Sequence, residues 1–261
     1  MQNIIKLKKG IKRIFKDIVD HGEDTPAGMW QGTDSMKDQI MLVLRNYDFS
    51  FICPITELEL LDKTKADQDW VRLHMTERMD GEPSNPGESY KIWPYAVLKE
   101  GDGFITKKTF SHTYQERFWP KKANDLLPYM EGHENNHGLR FELGDYNNLL
   151  ETLKDNPLTR QAYLPIFFPE DTYAASINER VPCTLGYLFY KSHGKLHINY
   201  YIRSCDGYRH LRNDIYFTAR LLQITASIID EEVGEVNFYC ANLHIFKNDL
   251  YNLKKRENYL K

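Results

Sequence analysis

The window RVPCTLGYLFYKSHGKLHINYYIRSCDGYRHLRND, residues 180–214, decides how the rest of this chain is read. LGYLFY and LHINYYI alternate apolar and polar positions with the period of a strand, and SHGK between them supplies the glycine that a tight hairpin turn favours. The pattern predicts a hairpin with Cys183 at the start of its first strand and Arg203 at the end of its second. A cysteine thiol, an Arg-Ser-Cys-Asp run and an Arg-Asn-Asp run therefore lie within one short stretch. Chemically they are a nucleophile, an anion-binding cluster and a carboxylate able to read a base.

Composition narrows the classes. With 261 residues, 41% hydrophobic residues and a net charge of -3, the chain suits one large domain with a substantial core, spanning residues 1–261. A near-neutral balance carries no broad electrostatic footprint for a nucleic-acid polymer, so a mononucleotide is the better expected ligand. Cys53, Cys183, Cys205 and Cys240 are widely spaced, form no CxxC and follow no leader, which points to reduced thiols and a cytoplasmic setting. No apolar run approaches the ~20 residues of a membrane-spanning helix, so no membrane partner is expected.

The window resembles the thymidylate synthase family, and within it the phage deoxycytidylate (dCMP) hydroxymethylases most. The synthases carry their nucleophile as Pro-Cys-His; here it is Pro182-Cys183-Thr184, and Cys-Thr is the hydroxymethylase form. Arg203-Ser204-Cys205-Asp206 matches the Arg-Ser-x-Asp signature that holds the nucleotide phosphate and approaches the folate. Eight residues on, where the synthases place an Asn that reads uracil, stands Asp214, next to Asn213. The resemblance implies a mixed α/β (α+β) fold with a large mixed sheet at a homodimer interface, surrounded by helices. It also implies a pyrimidine nucleoside monophosphate as substrate and 5,10-methylenetetrahydrofolate as one-carbon donor.

The same resemblance assigns roles elsewhere. Trp93, in Lys91-Ile92-Trp93, corresponds to a Trp near the folate, and Asp206 is the second folate-facing residue. Tyr114 falls on a Tyr of the catalytic hydrogen-bond network. His244 matches a His that contacts the sugar, although the Tyr two residues on is replaced by Phe246. The catalytic Glu of the family lies three residues before a Trp; aligned on Trp70, its place is taken by Asp67, with His74 and Glu77 as alternatives on the same predicted helix. Asn156-Pro157-Leu158-Thr159-Arg160-Gln161 resembles a segment whose two arginines reach the partner subunit's phosphate, and only Arg160 is kept. The loop after the first helix lacks the family's phosphate-binding Arg. Each such charge-assisted bond contributes about 1.5–3 kcal/mol, so the losses bear directly on affinity. The readings that follow are dCMP or CMP hydroxymethylation, thymidylate synthesis from dUMP, and a nucleotide-binding paralogue with reduced catalysis.

Further expectations come from periodicity. Ile4, Leu7, Ile11, Ile14, Phe15 and Ile18 form one face of a basic amphipathic helix. MLVLRNYDFSFICP reads as a pair of short strands, KADQDWVRLHMTERM as a helix, and IYFTARLLQITASII as a long helix beginning just beyond Asp214, which would suit that residue as an N-cap as well as a base reader. Arg203 and its neighbouring arginines are expected to lower the proton affinity of Cys183. His133, Glu134 and His137 raise the question of a metal, but one crowded loop completes no coordination shell, and none is expected.

Overall fold

A computed structural model describes residues 5–28, 38–93, 112–119, 145–177 and 180–257. Its centre is a seven-stranded mixed sheet. The strands are β1 (Glu23–Pro26), β2 (Ile40–Ile52), β3 (Tyr163–Pro165), β4 (Thr184–Ser192), β5 (Lys195–Ile202), β6 (Cys205–Asp206) and β7 (Glu232–Phe246). They run in the order β1-β2-β7-β5-β4-β3, with β6 also paired to β7. The β5–β7 and β6–β7 pairings are parallel and the others antiparallel. Parallel neighbours need a long crossover, and the 18-residue helix Leu211–Ile228 provides it.

The hairpin forms as the alternation predicts. His193 and Gly194 occupy the turn at φ 51° and 70°, the left-handed pair that a two-residue connection matched to strand twist requires. Cys183 directly precedes β4 and Arg203 directly follows β5. The stretch expected to be two short strands is instead the single strand β2. Asn46, at φ 52°, interrupts the alternation by taking a conformation Asn tolerates, and pairing with β7 resumes at Tyr47.

Helices α1 (Leu7–His21), α2 (Glu57–Thr64), α3 (Gln68–Met79), α4 (Ser89–Ile92), α5 (Gln115–Phe118), α6 (Asp145–Asp155), α7 (Pro169–Ser176), α8 (Leu211–Ile228) and α9 (Leu250–Glu257) accompany the sheet. On α1, Leu7, Ile11, Ile14, Phe15 and Ile18 are buried, so its apolar face serves the protein's own core. Ile4 lies outside the described residues. One sheet face is core: Phe51, Phe189, Ile198, Tyr200, Val236 and Phe238 are all buried there. On the other face Tyr163, Leu185 and Tyr239 are exposed, and Tyr201 stacks on Tyr239 with ring centroids 5.3 Å apart.

Candidate active site

The site lies where the ends of β4, β5 and β6 meet the first turn of α8 and the buried face of α3. Cys183 is partly accessible, and its carbonyl accepts a hydrogen bond from the Arg203 backbone N–H at 2.9 Å. The Arg203 guanidinium donates to the carbonyls of Pro182 and Val181 at 2.9 and 3.1 Å, bracing the segment that leads into Cys183. Burial pushes the Cys183 thiol up. Arg203 and Arg180 oppose that push without overcoming it, and Asp214 and Asp206 add to it. The expectation of a lowered thiol is therefore corrected: desolvation outweighs the arginines.

Thr184 places its hydroxyl 2.8 Å from both the Tyr114 and the Tyr200 hydroxyls, so the residue after Cys183 is the hub of a buried polar chain. Tyr114 thus enters a network one residue from Cys183. Ser204 Oγ lies 3.4 Å from Nδ1 of His244, and burial lowers the proton affinity of that imidazole.

Asp214 is not an N-cap. The helix begins at Leu211 with His210 before it, leaving Asp214 as the fourth helical residue, turned inward. It accepts from Cys205 Sγ at 3.5 Å. Burial raises its pKa to about 7; the Cys205 hydrogen bond and the Arg78 charge lower it, and Asp206 raises it. Cys205 itself is pushed well up by burial, as expected of a structural thiol.

Asp67 is the N-cap of α3: its Oδ1 accepts from the Trp70 N–H at 3.4 Å, and its own N–H donates to Asn213 Oδ1 at 3.1 Å. The side chain is exposed. Asn213, proposed for the nucleotide, thereby tethers α3 to α8. Glu77 is buried and committed to Ser89 N and Oγ and to Gln115 Nε2, while His74 Nδ1 lies 2.9 Å from Ser89 Oγ. Burial lowers the proton affinity of His74 well below the usual imidazole range. Arg160 is exposed beyond α6. His133, Glu134 and His137 lie outside the described residues, as do residues 29–37 of the stretch after α1 that lacks a phosphate arginine.

The linear reading missed Trp70 as a wall and Arg78 as a buried cation. Trp93 stacks on Trp70 at 6.0 Å, with the Arg180 guanidinium 5.6 Å from its ring. Both indoles are buried and pack with the core. Asp206 is buried and constrained: Oδ1 accepts from the Tyr208 and Arg209 backbone N–H groups and Oδ2 from the Arg209 side chain at 2.8 Å. Arg78 is 4% exposed, with its guanidinium 3.8 Å from the Tyr114 ring and 4.1 Å from that of Phe217. The available sequence signal was helical spacing, since Trp70, His74 and Arg78 recur every four residues on one face of α3.

Comparison with known proteins settles the family. The thymidylate synthase family model matches residues 91–258, more than half of the chain. The chain belongs to the thymidylate synthase family. It is 28% identical over 252 residues to a thymidylate synthase of Bacillus subtilis subsp. natto, covering 94% of this chain and 81% of that protein. A thymidylate synthase of Mycoplasma mobile is 25% identical over 167 residues, 63% of this chain and 56% of that protein. Among solved structures, thermostable thymidylate synthase A from Bacillus subtilis superposes with a TM-score of 0.68 at 21% identity, over 97% of this chain and 84% of that one, a likeness of fold. The mixed α/β architecture is the family's, and the family transfers a one-carbon unit from methylenetetrahydrofolate to a pyrimidine nucleotide.

Proposed function

We propose that the protein is a folate-dependent pyrimidine-nucleotide hydroxymethylase, acting on the cytosine of dCMP or CMP as a homodimeric, cytoplasmic, single-domain enzyme. The observation that carries the proposal is a carboxylate, Asp214, half-buried near Cys183 where the synthases have an Asn. Cytosine offers a ring nitrogen that takes a proton and an amine that donates, and a carboxyl group complements both. An ionised carboxylate turns like polarity toward the 4-carbonyl of uracil, a mismatch of roughly 1–3 kcal/mol.

In this reading Cys183 adds to ring carbon 6 of the pyrimidine, making carbon 5 nucleophilic toward the one-carbon unit that methylenetetrahydrofolate supplies. The raised thiol must give its proton to an acceptor before it adds, and phosphate binding at Arg203 and Ser204 holds the base in place for that attack. Tyr114, through Thr184, relays protons at the face of the base, and His244 holds the sugar. Trp93 and Asp206 receive the folate. Asp67, at the mouth of the site and linked to Asn213, is the candidate for positioning the water that completes hydroxymethylation. Arg160 contributes to the partner's phosphate site.

A second reading, thymidylate synthesis from dUMP, is favoured by the relatives' names and by a carboxyl group that holds its proton up to about pH 7, because a neutral acid pairs with uracil as an amide does. Tritium release from carbon-5-labelled dCMP, CMP and dUMP, with and without methylenetetrahydrofolate, separates the readings. Release from a cytosine nucleotide is expected, and Cys183→Ser should abolish it. Release from dUMP alone would replace the proposal with the second reading, and release from none would leave a binding paralogue.

A further inference from the structure

Trp70, His74 and Arg78 share the buried face of α3, and all three pack on one ring of α8. The Phe217 ring centroid lies 5.3 Å from that of Trp70 and 5.2 Å from that of His74, and the Arg78 guanidinium is 4.1 Å from it. Each of the three leaves a polar atom without a hydrogen-bond partner among the described residues: Trp70 Nε1–H, Arg78 Nε–H and His74 Nε2. Buried polar atoms are nearly always paired, so three orphans on one stripe point to a polar molecule held against it. Tyr114 joins this stripe to the reacting end of the hairpin. Its ring stands edge-on to His74 at 6.3 Å, and its hydroxyl is 2.8 Å from the Oγ of Thr184, the residue after Cys183. Phe217 lies one helical turn beyond Asp214.

Hydrogen-bond counting fixes the state of His74. Glu77 accepts from the Ser89 N–H at 2.8 Å, from the Ser89 hydroxyl at 2.5 Å and from the Gln115 amide at 3.1 Å. The Ser89 hydroxyl has one proton and gives it to Glu77, so toward His74 Nδ1, 2.9 Å away, it can only accept. The proton of the imidazole is therefore on Nδ1 and its lone pair on Nε2. Burial, and after it the Arg78 charge, keep the ring neutral.

We propose that His74 is the base of the water-addition step, with Ser89 and Glu77 as positioning residues that hold its Nε2 lone pair ready. The inference rests on the hydroxymethylation reading. When the exocyclic carbon is joined to carbon 5 by a double bond, water oxygen bonds to that carbon and the proton it sheds goes to Nε2. The electron pair of the double bond moves into the ring and expels the Cys183 thiolate from carbon 6, and the imidazolium returns its proton to the thiolate. The exposed Asp67 orients the water at the mouth, and His74 takes the proton within.

The test follows one turnover of carbon-5-tritiated dCMP with methylenetetrahydrofolate, comparing tritium release with hydroxymethylated product by mass spectrometry. In the wild type the two keep step. H74N retains an amide donor toward Ser89 and has no ring nitrogen, so its product should form at least about 100-fold more slowly than its tritium is released. E77Q lets the Ser89 hydroxyl donate to Nδ1 and moves the His74 proton to Nε2. Nitrogen-15 NMR should show that exchange of tautomers, with product formation slowed about tenfold or more. Product and tritium in step in H74N overturn the inference alone. So does a wild-type His74 with its proton on Nε2, whether or not H74N folds, and E77Q making product at the wild-type rate overturns the role of Glu77 and Ser89. A wild type that forms no hydroxymethylated product from dCMP or CMP sinks the hydroxymethylation reading and the inference with it.

Discussion

Asp214 shows how one methylene-length carboxyl changes a site when it is buried. In the unfolded chain an Asp loses its proton near pH 4, whereas in the fold this one keeps it to about pH 7. Between these values the folded state binds more protons, so stability falls as pH rises through the window and the loss is complete above about 7. D214N lacks this titration. Its melting temperature should exceed that of the wild type by more at pH 8 than at pH 5, and equal differences at the two pH values would place the carboxyl in water. In the nucleotide assay D214N should also shift the kcat/KM ratio toward dUMP. Proximity of Asp214 to Cys183 was readable from their shared motif window; the charge state was not, because it depends first on burial, which packing alone sets.

Helix α3 and the short α5 carry the half of the site that lies outside the hairpin. They are held by contacts of long sequence separation. Arg117, on α5, forms a bidentate pair with Asp171 on α7 at 3.0 and 2.9 Å, with both side chains buried and the Arg117 guanidinium 4.4 Å from the Phe168 ring. Asp171 also accepts from the Phe168 N–H at 2.8 Å. Removing one member of such a pair strands the other charge, so R117M should lower unfolding free energy by about 3–5 kcal/mol in urea titration. A loss below about 1 kcal/mol would mean that the pair contributes little. Because α5 begins next to Tyr114, the same variant should also depress turnover. The amphipathic pattern identified α3 as a helix, and its Asp67 is the cap that starts the helix.

At the scale of the molecule, one face of the sheet has no covering layer among the described residues. Tyr163, Leu185 and Tyr239 are exposed there, and Arg160 projects from the same edge region just ahead of β3. Families of this fold are dimers, and a second copy on this face would bury the tyrosines and bring Arg160 toward its neighbour's phosphate site. Tyr239→Asp should yield a monomer in sedimentation velocity and weaken nucleotide binding together with it. A wild type that sediments as a monomer at micromolar concentration would remove the dimer from the proposal.

Strand alternation, a glycine turn and the residues around Cys183 were enough to give the hairpin, the ends of its strands and the family, because each is a local property of adjacent residues. The N-terminal helix and its buried face followed from spacing alone for the same reason. Charge and proton positions did not follow. Whether Cys183 is activated, whether Asp67 is a cap or a base, and whether Asp214 is neutral or ionised depend on burial and on partners brought from α3, α5 and the strand ends. Desolvation and Coulomb interaction act through space, so only the packed sheet and helices could set them. The Arg180–Asp214 window holds Cys183 and Asp214, and the tertiary structure, through burial and the Thr184 network, sets their surroundings.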